Sequence, residues 1–544
     1  MRKFSSYGPV DKDLHFHVPR TELVRSGIRR LTGEVPEKGG HFITVWAPRQ
    51  CGKTWIMREV MMEIRERGQF DAAMISMQSA QTVTTDQGIL ELFAEKLSSW
   101  LGRPFPGISA WKDLPRLFAP PAVEKPLVLI IDEFDALEEE FINKFANEFR
   151  DIYITRQTEM GQTACMLHGL ALIGVRGVLG IENVKGSPFN VQRSMHIPNL
   201  TRNEVGAMFR EYEAESGQPV ESGVVDRIHK ETRGQPGLVS WFGELLTEGY
   251  DGYLPDKTRA VDLEVFDSVF QDAVDALPNN HLLNIISKAK RDPYKSTVLE
   301  LFKTRQAMPF RFDDPRINFL YLNGVIDREK AEGGGNLVRF ASPFVQKRLF
   351  NFFSREIFPA VDHLYDPMTD IEAVVGPTEI DVLAVLRLYQ TYLDRNRDWL
   401  LRDAPRRKTD LRIFEAVFHF NLYMYLAAFF QDKGGDVFPE FPTGNGKVDL
   451  LIRRGKDVYA LELKSFKDRY AYKQALVRAV EYAVQLGISR IYLVFFIESI
   501  DVENRRELEL GFTAGESGVS VIPFFLETGD SRSATRPFPP PTPD

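Results

Sequence analysis

The chain has 544 residues, too many for one hydrophobic core, so about three domains are expected. Hydrophobic residues make up 43% and charged residues 26%, an ordinary soluble globular balance, and no apolar run is long enough to cross a bilayer. The net charge of -8 excludes a general polyanion binder; any nucleic-acid contact has to come from a local basic surface. Met1 to Ser6 has no apolar h-region, so no signal peptide is expected. The two cysteines, Cys51 and Cys165, make a structural disulfide an unsuitable reading and point to a reducing, cytoplasmic setting.

His15 and His17 sit two apart, as zinc ligands on a strand do, but no Cys or further His accompanies them. A structural or adenine-contacting role is the expectation. A helix is expected over Thr21 to Leu31. Next, the apolar run Phe42 to Trp46 leads into Ala47-Pro48-Arg49-Gln50-Cys51-Gly52-Lys53-Thr54, and a helical pattern at Ile56, Val60 and Ile64 leads out. Strand, loop ending Gly-Lys-Thr, then helix is the context of a P-loop. The backbone N–H groups of Pro48 to Thr54 that exist would hold phosphate oxygens, helped by the helix N-terminus. Lys53 would reach the β/γ-phosphates and the Thr54 hydroxyl would hold Mg²⁺. Ala47 replaces the usual first Gly, whereas Gly52 is kept.

A second strand is expected at Ala72 to Met77 and a helix at Asp86 to Leu101. The continuous apolar run Pro126 to Ile131 reads as a buried parallel strand, with Asp132 and Glu133 at its carboxyl end. Asp132 would hold the Mg²⁺ shell and Glu133 would polarise the attacking water; Asp135 reads as a helix cap. A strand at Leu170 to Val175 ends in Arg176, which is either a γ-phosphate sensor or an exposed charge. Met195 to Pro198 reads as another strand. Helices at Arg202 to Ser216 and Val224 to Thr232 precede the turn Gly234-Gln235-Pro236.

The P-loop, the Ile131-Asp132-Glu133 ending and the Gly-x-Pro turn together resemble an AAA-type ATPase family close to the STAND NTPases. The resemblance covers about residues 8 to 350. It implies a helical lid in which Gly234 and Pro236 contact the nucleotide, and an Arg borrowed from a neighbouring subunit, for which Arg150, Arg156 and Arg176 are candidates. The helical segment from Asp262, with its Gly-rich turn at Gly333 to Asn336, resembles the winged-helix module that follows such lids. Lys288, Lys290, Arg291 and Lys295 cluster there, with a solvated surface as the simpler reading.

Farther on, two apolar runs flank a turn at Gly455-Lys456, a hairpin signal. Glu462 and Lys464, two apart on the second strand, share one face, and with the turn as tip Asp449 falls opposite Glu462. Charged residues on one face inside apolar runs need a reason, and either a divalent metal or a cross-strand salt bridge supplies one. On the metal reading, Asp449 and Glu462 chelate Mg²⁺ and Lys464 orients or deprotonates a metal-bound water. This pattern resembles the PD-(D/E)XK nuclease superfamily, over roughly residues 405 to 528. The resemblance implies a further acid facing the metal, Glu415 on the preceding helix. It also implies a Gln-x-x-x-Tyr pair on the following helix, where Tyr482 is present but Arg478 takes the Gln position; both are assigned as phosphate contacts. Lys447, Arg453, Arg454, Lys467 and Arg469 nearby read as phosphate contacts or as ordinary solvated surface charge, the simpler reading for any one of them.

The expected fold class is therefore α/β: a P-loop NTPase with helices on both faces of a parallel sheet, a helical lid and winged helix, then an α/β restriction-endonuclease-like domain. Expected divisions are a P-loop core at 1–200, lid at 201–255, winged-helix-like region at 256–360, helical linker at 361–404, nuclease-like domain at 405–530 and a disordered Pro-rich tail at 531–544. The combined expectation is an ATP-hydrolysing protein, using ATP and Mg²⁺, whose nucleotide state gates a nuclease. DNA is favoured over RNA, no membrane is involved, and a homo-oligomer is open. Such a design suits defence or mobile-element biology. The alternative is a STAND-like switch or assembly protein whose C-terminal fold only binds nucleic acid or a partner.

Overall fold

Strands that are apolar along their whole length need cover on both faces, and the first sheet has it. The structure, a computed structural model, describes the chain except residues 9, 36–38, 157–165, 175–192, 249–255, 303–307, 332–333, 359–363, 365–369, 377–378, 407–412, 414, 432, 441–448, 456, 516 and 530–544, together with the side chains of residues 193, 372, 415, 440 and 449. Two units divide the chain: Met1–Gln271 with Phe312–Gly324, and Asp272–Arg311 with Val325–Asp544.

In the first unit, β1 (Phe42–Trp46), β2 (Asp71–Ser76), β3 (Leu127–Asp132), β4 (Leu167–Ile173) and β5 (Arg193–His196) form one sheet in the order β2-β3-β4-β1-β5. Every pairing in it is parallel. Helices α1 (Thr21–Thr32) and α2 (Lys53–Glu66) cover one face, where Ile28, Val60 and Ile64 pack on Val45, Val128 and Ile130. Helices α3 (Asp86–Leu101) and α4 (Glu139–Arg156) cover the other, where Phe93, Phe145 and Phe149 pack on Leu129 and Ile131. A 3-10 helix at Trp111–Phe118, not foreseen from the sequence, lines that second core. Two strand assignments shift. β4 begins at Leu167 rather than at 170, because His168 is buried with its Nε2 on the Thr32 carbonyl at 2.9 Å. β5 runs over 193–196 rather than 195–198.

Three helices follow: α5 (Arg202–Ser216), α6 (Ser222–Thr232) and α7 (Pro236–Thr247). Thr201 and Glu204 form a reciprocal capping box that fixes where α5 starts. The N-terminal segment is fastened to these helices. Phe4 packs 4.8 Å from the Phe209 ring, Arg2 bonds Glu215 at 2.7 Å, and the Ser6 hydroxyl donates to Glu244 at 2.6 Å. Helix α8 (Leu263–Asp275) carries the chain from the first unit to the second.

In the second unit, α9 (Asn280–Ala289) and α10 (Tyr294–Leu301) precede α11 (Pro315–Leu322), which belongs to the first unit. Its Tyr321 lies 5.7 Å from the Trp46 ring at the end of β1. The second unit resumes with the antiparallel hairpin β6 (Ile326–Lys330) and β7 (Asn336–Phe340), then α12 (Pro343–Ile357) and α13 (Val382–Leu400). A second sheet of β8 (Asp436–Glu440), β9 (Asp449–Arg454), β10 (Asp457–Ser465), β11 (Arg490–Ile497), β12 (Phe512–Thr513) and β13 (Ser520–Glu527) has the order β12-β13-β11-β10-β9-β8. Strands β8, β9 and β10 meander antiparallel, while β11 runs parallel to β10 and β13 parallel to β11.

Helix α14 (Glu415–Phe430) is apolar nearly all round, the pattern of a helix buried on every side. Phe420 packs on Phe302 at 5.4 Å and Phe350 at 4.9 Å, while His419 meets Phe496 of β11 at 5.2 Å. So the core around α12 and that of the second sheet are continuous within this unit. Neither ring nitrogen of the fully buried His419 has a hydrogen-bond partner among the described residues. Burial, assisted by the Lys464 charge, pushes its pKa down to about 3. The unfolded chain titrates near pH ~6.5. Below that pH the unfolded state therefore binds more protons, and stability falls on acidification until the folded pKa is reached. His419→Leu is expected to flatten this slope, which is at most about 1.4 kcal/mol per pH unit. Urea midpoints measured at neutral and mildly acidic pH check it: the wild type should lose more than the variant.

Candidate nucleotide and nuclease sites

The parallel register brings the carboxyl ends of β1, β2, β3 and β4 level, with Ser76 beside Asp132 and Val45 beside Ile173. Ligands in such sheets bind at those ends. The loop after β1 turns through Gln50 and Gly52, at φ +56° and +80°, and α2 begins at Lys53. The left-handed backbone at Gly52 is tolerated because Gly has no Cβ. Lys53 Nζ donates to the carbonyls of Ala47 and Pro48, each at 2.8 Å. Burial lowers the Lys53 pKa, opposed by the charges of Cys51, Asp132 and Asp135. Cys51 is buried beneath the loop, with Sγ 3.7 Å from Asn199 Oδ1.

Thr54 Oγ1 donates to Asp132 Oδ2 at 2.6 Å, and Asp132 Oδ1 accepts from the Glu133 N–H at 2.8 Å. A hydroxyl and a carboxylate so close offer two hard oxygen donors, which fits Mg²⁺, an ion that takes few protein ligands and keeps phosphate oxygens and waters. Glu133 sits at φ +52°, exposed, with Oε2 accepting from the Ser76 hydroxyl at 2.5 Å. While it holds this hydroxyl, that oxygen is not available to orient a water. Ser76→Ala is expected to raise basal ATP turnover a few-fold with KM unchanged, read in a steady-state phosphate-release assay.

The Gly234-Gln235-Pro236 turn lies against this loop. Gly234 at φ +69° leaves no room for a side chain, since a Cβ would stand 1.9 Å from the Leu200 carbonyl oxygen. Pro236 occupies the first turn of α7, with Gln235 as its N-cap. Gln235, which sequence reasoning passed over, makes the bonds to the P-loop: its Nε2 lies 3.1 Å from the Arg49 carbonyl and 3.2 Å from that of Gln50. Arg176 lies outside the described residues, as does Cys165. Arg156 is buried and bonds the carbonyls of Leu167 at 2.9 Å and Gly40 at 2.6 Å, which removes it as a donor to a neighbouring subunit; Arg150 is exposed. His17 packs 5.7 Å from Trp55, beside Thr54, and His15 accepts from the Asp11 N–H at 3.0 Å.

In the second unit, β9 and β10 pair so that Asp449 stands opposite Glu462. Glu462 and Lys464 are buried, at 1% and 8% exposure, and their charged groups meet at 2.5 Å. Glu462 pairs with Leu493 and Lys464 with Phe495. Those two residues pack with Ala475, Ala479 and Ala483 of α15 (Arg469–Leu486), so the charged pair lies on the α15 face of the sheet. Tyr482 on α15 is half-buried in the same core and Arg478 is exposed. Phe496, whose side chain points the other way, meets α14, so the helix that carries Glu415 covers the opposite face. The side chains of Glu415 and Asp449, and all of Lys447, fall outside the described residues. The Glu462 carboxylate, with an acid opposite it in register, offers the oxygen donors a hard cation takes, while Lys464 adds a positive charge beside them. Among the described residues no group of three His, Cys, Asp or Glu side chains is placed to hold a metal ion.

Several candidate phosphate contacts have structural partners instead. Arg469 bonds Glu507 at 2.7 Å, Arg453 stacks over Phe438 at 5.5 Å, and Arg454 bonds the Gly376 carbonyl; Lys467 is exposed. Lys295 likewise pairs with Glu356 at 2.8 Å.

The P-loop, the Thr54–Asp132 pair and the parallel sheet define a P-loop NTPase-like domain. Residues 37–177 match the family model described as AAA domain, so this part of the chain is an AAA-type P-loop ATPase domain, and the match supports ATP binding and hydrolysis by it. Among solved structures the chain is similar to a Walker-type ATPase of Pyrococcus abyssi, at 13% identity over 64% of this chain and 99% of that one, with a TM-score of 0.40. It is also similar to the ORC2 protein of Aeropyrum pernix, at 14% identity over 64% and 97%, with a TM-score of 0.37. A third is the RuvB Holliday junction branch migration motor of Thermotoga maritima, at 13% identity over 59% and 92%, with a TM-score of 0.31. No curated protein matches the sequence. No helix among the described residues is long and apolar enough to cross a membrane.

Proposed function

We propose that this protein binds and hydrolyses ATP and that its nucleotide state gates a Mg²⁺-dependent nuclease acting on DNA, centred on Asp449, Glu462 and Lys464. The observation that carries the second half is the buried Glu462–Lys464 pair with Asp449 opposite in register. The helix–meander–helix–parallel-strand order around it agrees with the nuclease resemblance.

At the first site Lys53 would trade its loop carbonyls for phosphate oxygens, Thr54 and Asp132 would hold Mg²⁺, and Glu133, once away from Ser76, would orient a water. Gly234 and Pro236 would face the nucleotide from the lid. At the second, Asp449 and Glu462 would hold Mg²⁺; Glu415 would be a further acid only by reaching from the start of α14, which packs on the other face, to theirs. The ion supplies charge neutralisation and a more acidic bound water. Lys464 would orient that water or accept its proton, and Arg478 and Tyr482 would position a phosphate. Arg176 would sense the γ-phosphate.

The second reading, a STAND-like nucleotide switch with a binding-only C-terminal fold, is favoured by one observation: Glu462 and Lys464 already satisfy each other as a salt bridge. Incubating purified protein with plasmid, single-stranded DNA and RNA, with Mg²⁺ and with or without ATP, decides. Cleavage of DNA at an ATP-dependent rate is expected. Intact nucleic acids in every condition, with ATP hydrolysis retained, would leave the switch reading.

A further inference from the structure

Gln235 occupies the variable position of the Gly-x-Pro turn, yet its side chain is the most heavily engaged of the three. It is buried, at 7% exposure. Oε1 accepts from the Leu238 N–H at 2.5 Å and so caps α7. Nε2 donates to the P-loop carbonyls of Arg49 and Gln50. Two residues along, the Gly237 N–H donates to the Gln50 carbonyl at 3.1 Å, and a Cβ on Gly237 would stand 2.6 Å from Gln50 Oε1. Beside it, Asn199 Nδ2 ties the Arg233 carbonyl at 3.1 Å while Asn199 Oδ1 meets Cys51 Sγ.

The peptide group is planar and trans, so a carbonyl and the following N–H point in opposite directions. Holding the Arg49 and Gln50 carbonyls toward the lid therefore aims the N–H groups of Gln50 and Cys51 away from it, into the loop. A row of inward N–H groups is what binds phosphate oxygens. Left-handed backbone at Gln50, a non-glycine residue, carries a conformational cost that the lid contacts offset.

We propose that Gln235 is a positioning residue for the nucleotide site: a two-ended clamp whose oxygen starts the lid helix and whose amide presets the phosphate loop. The proposal deepens the ATP reading given above and rests on it. Two variants separate the ends. Gln235→Glu keeps an oxygen to cap α7 but places a carboxylate against two carbonyls. Gln235→Asn keeps an amide and a good cap but is one methylene too short to reach the loop.

The experiment measures MgATP affinity by titration calorimetry, steady-state kcat and KM, and melting temperature, all on the full chain. Both variants are expected to bind MgATP about tenfold more weakly and to show KM raised to match, with kcat within about twofold; Gln235→Asn, which buries no charge, should also keep the melting temperature nearly unchanged. A purely structural role would instead lower the melting temperature and the active fraction, leaving KM alone. If either variant folds as the wild type does and binds MgATP within about twofold of it, the clamp is overturned. If the wild type itself shows no MgATP binding, the ATP reading falls first and the clamp with it.

Discussion

Lys53→Ala is expected to lower ATP hydrolysis by at least about 100-fold, the loss typical when a preorganised group facing developing charge is removed. The P-loop holds this amine on two of its carbonyls, and without it Ala47 and Pro48 would lose their shared donor. Its effect on the second site tests the gating. Cleavage by the variant should lose its response to ATP while basal cleavage persists. A parallel measurement on Asp132→Asn, which keeps the shape of the pair with Thr54 but weakens its hold on a cation, should agree. Cleavage that keeps the same rate and the same ATP response in Lys53→Ala would show the two activities to be independent.

The second large effect is at Glu462 and Lys464. Glu462→Gln or Lys464→Met alone is expected to abolish cleavage and also to destabilise the second unit by about 3–5 kcal/mol, because each breaks a buried ion pair from one side. Loss of activity in either variant is therefore ambiguous by itself. The double variant Glu462→Gln/Lys464→Met removes both charges together and is expected to recover most of that stability without recovering cleavage. Urea unfolding alongside the nuclease assay reads both quantities. Recovery of cleavage in the double variant would remove these residues from the chemistry and leave them as a fold-stabilising pair.

Much of this arrangement was legible in the sequence, for identifiable reasons. Asp86 to Leu101 and Arg202 to Ser216 carry their own helix signals, and the structure ends both helices where those signals do. The pairing of Asp449 with Glu462 follows from the turn between them, because antiparallel register is set locally. What stayed hidden depends on partners distant in sequence. His168 and Gly169 look like a loop until Thr32 supplies the carbonyl that lets the imidazole be buried in β4. Ser76 is one more small residue until parallel pairing sets it beside Asp132 and within reach of Glu133. Gln235 occupies a position that motif reading treats as free, since only the folded lid brings it to the P-loop. That α14 and the Glu462–Lys464 pair lie against opposite faces of the sheet is likewise a matter of which helix packs where; the strand pattern gives only that a face exists.

The short stretch Phe312–Gly324 sits with the first unit although the chain on either side of it belongs to the second. The polypeptide therefore passes between the units three times, at 271/272, 311/312 and 324/325. No single recombination breakpoint can exchange one unit for a foreign version intact. A fragment ending at Gln271 would be missing the aromatic ring of Tyr321 that rests on Trp46, one residue before the phosphate loop. Excising the second unit therefore requires removing both of its segments, 272–311 and 325 onward, while keeping Phe312–Gly324 and its α11.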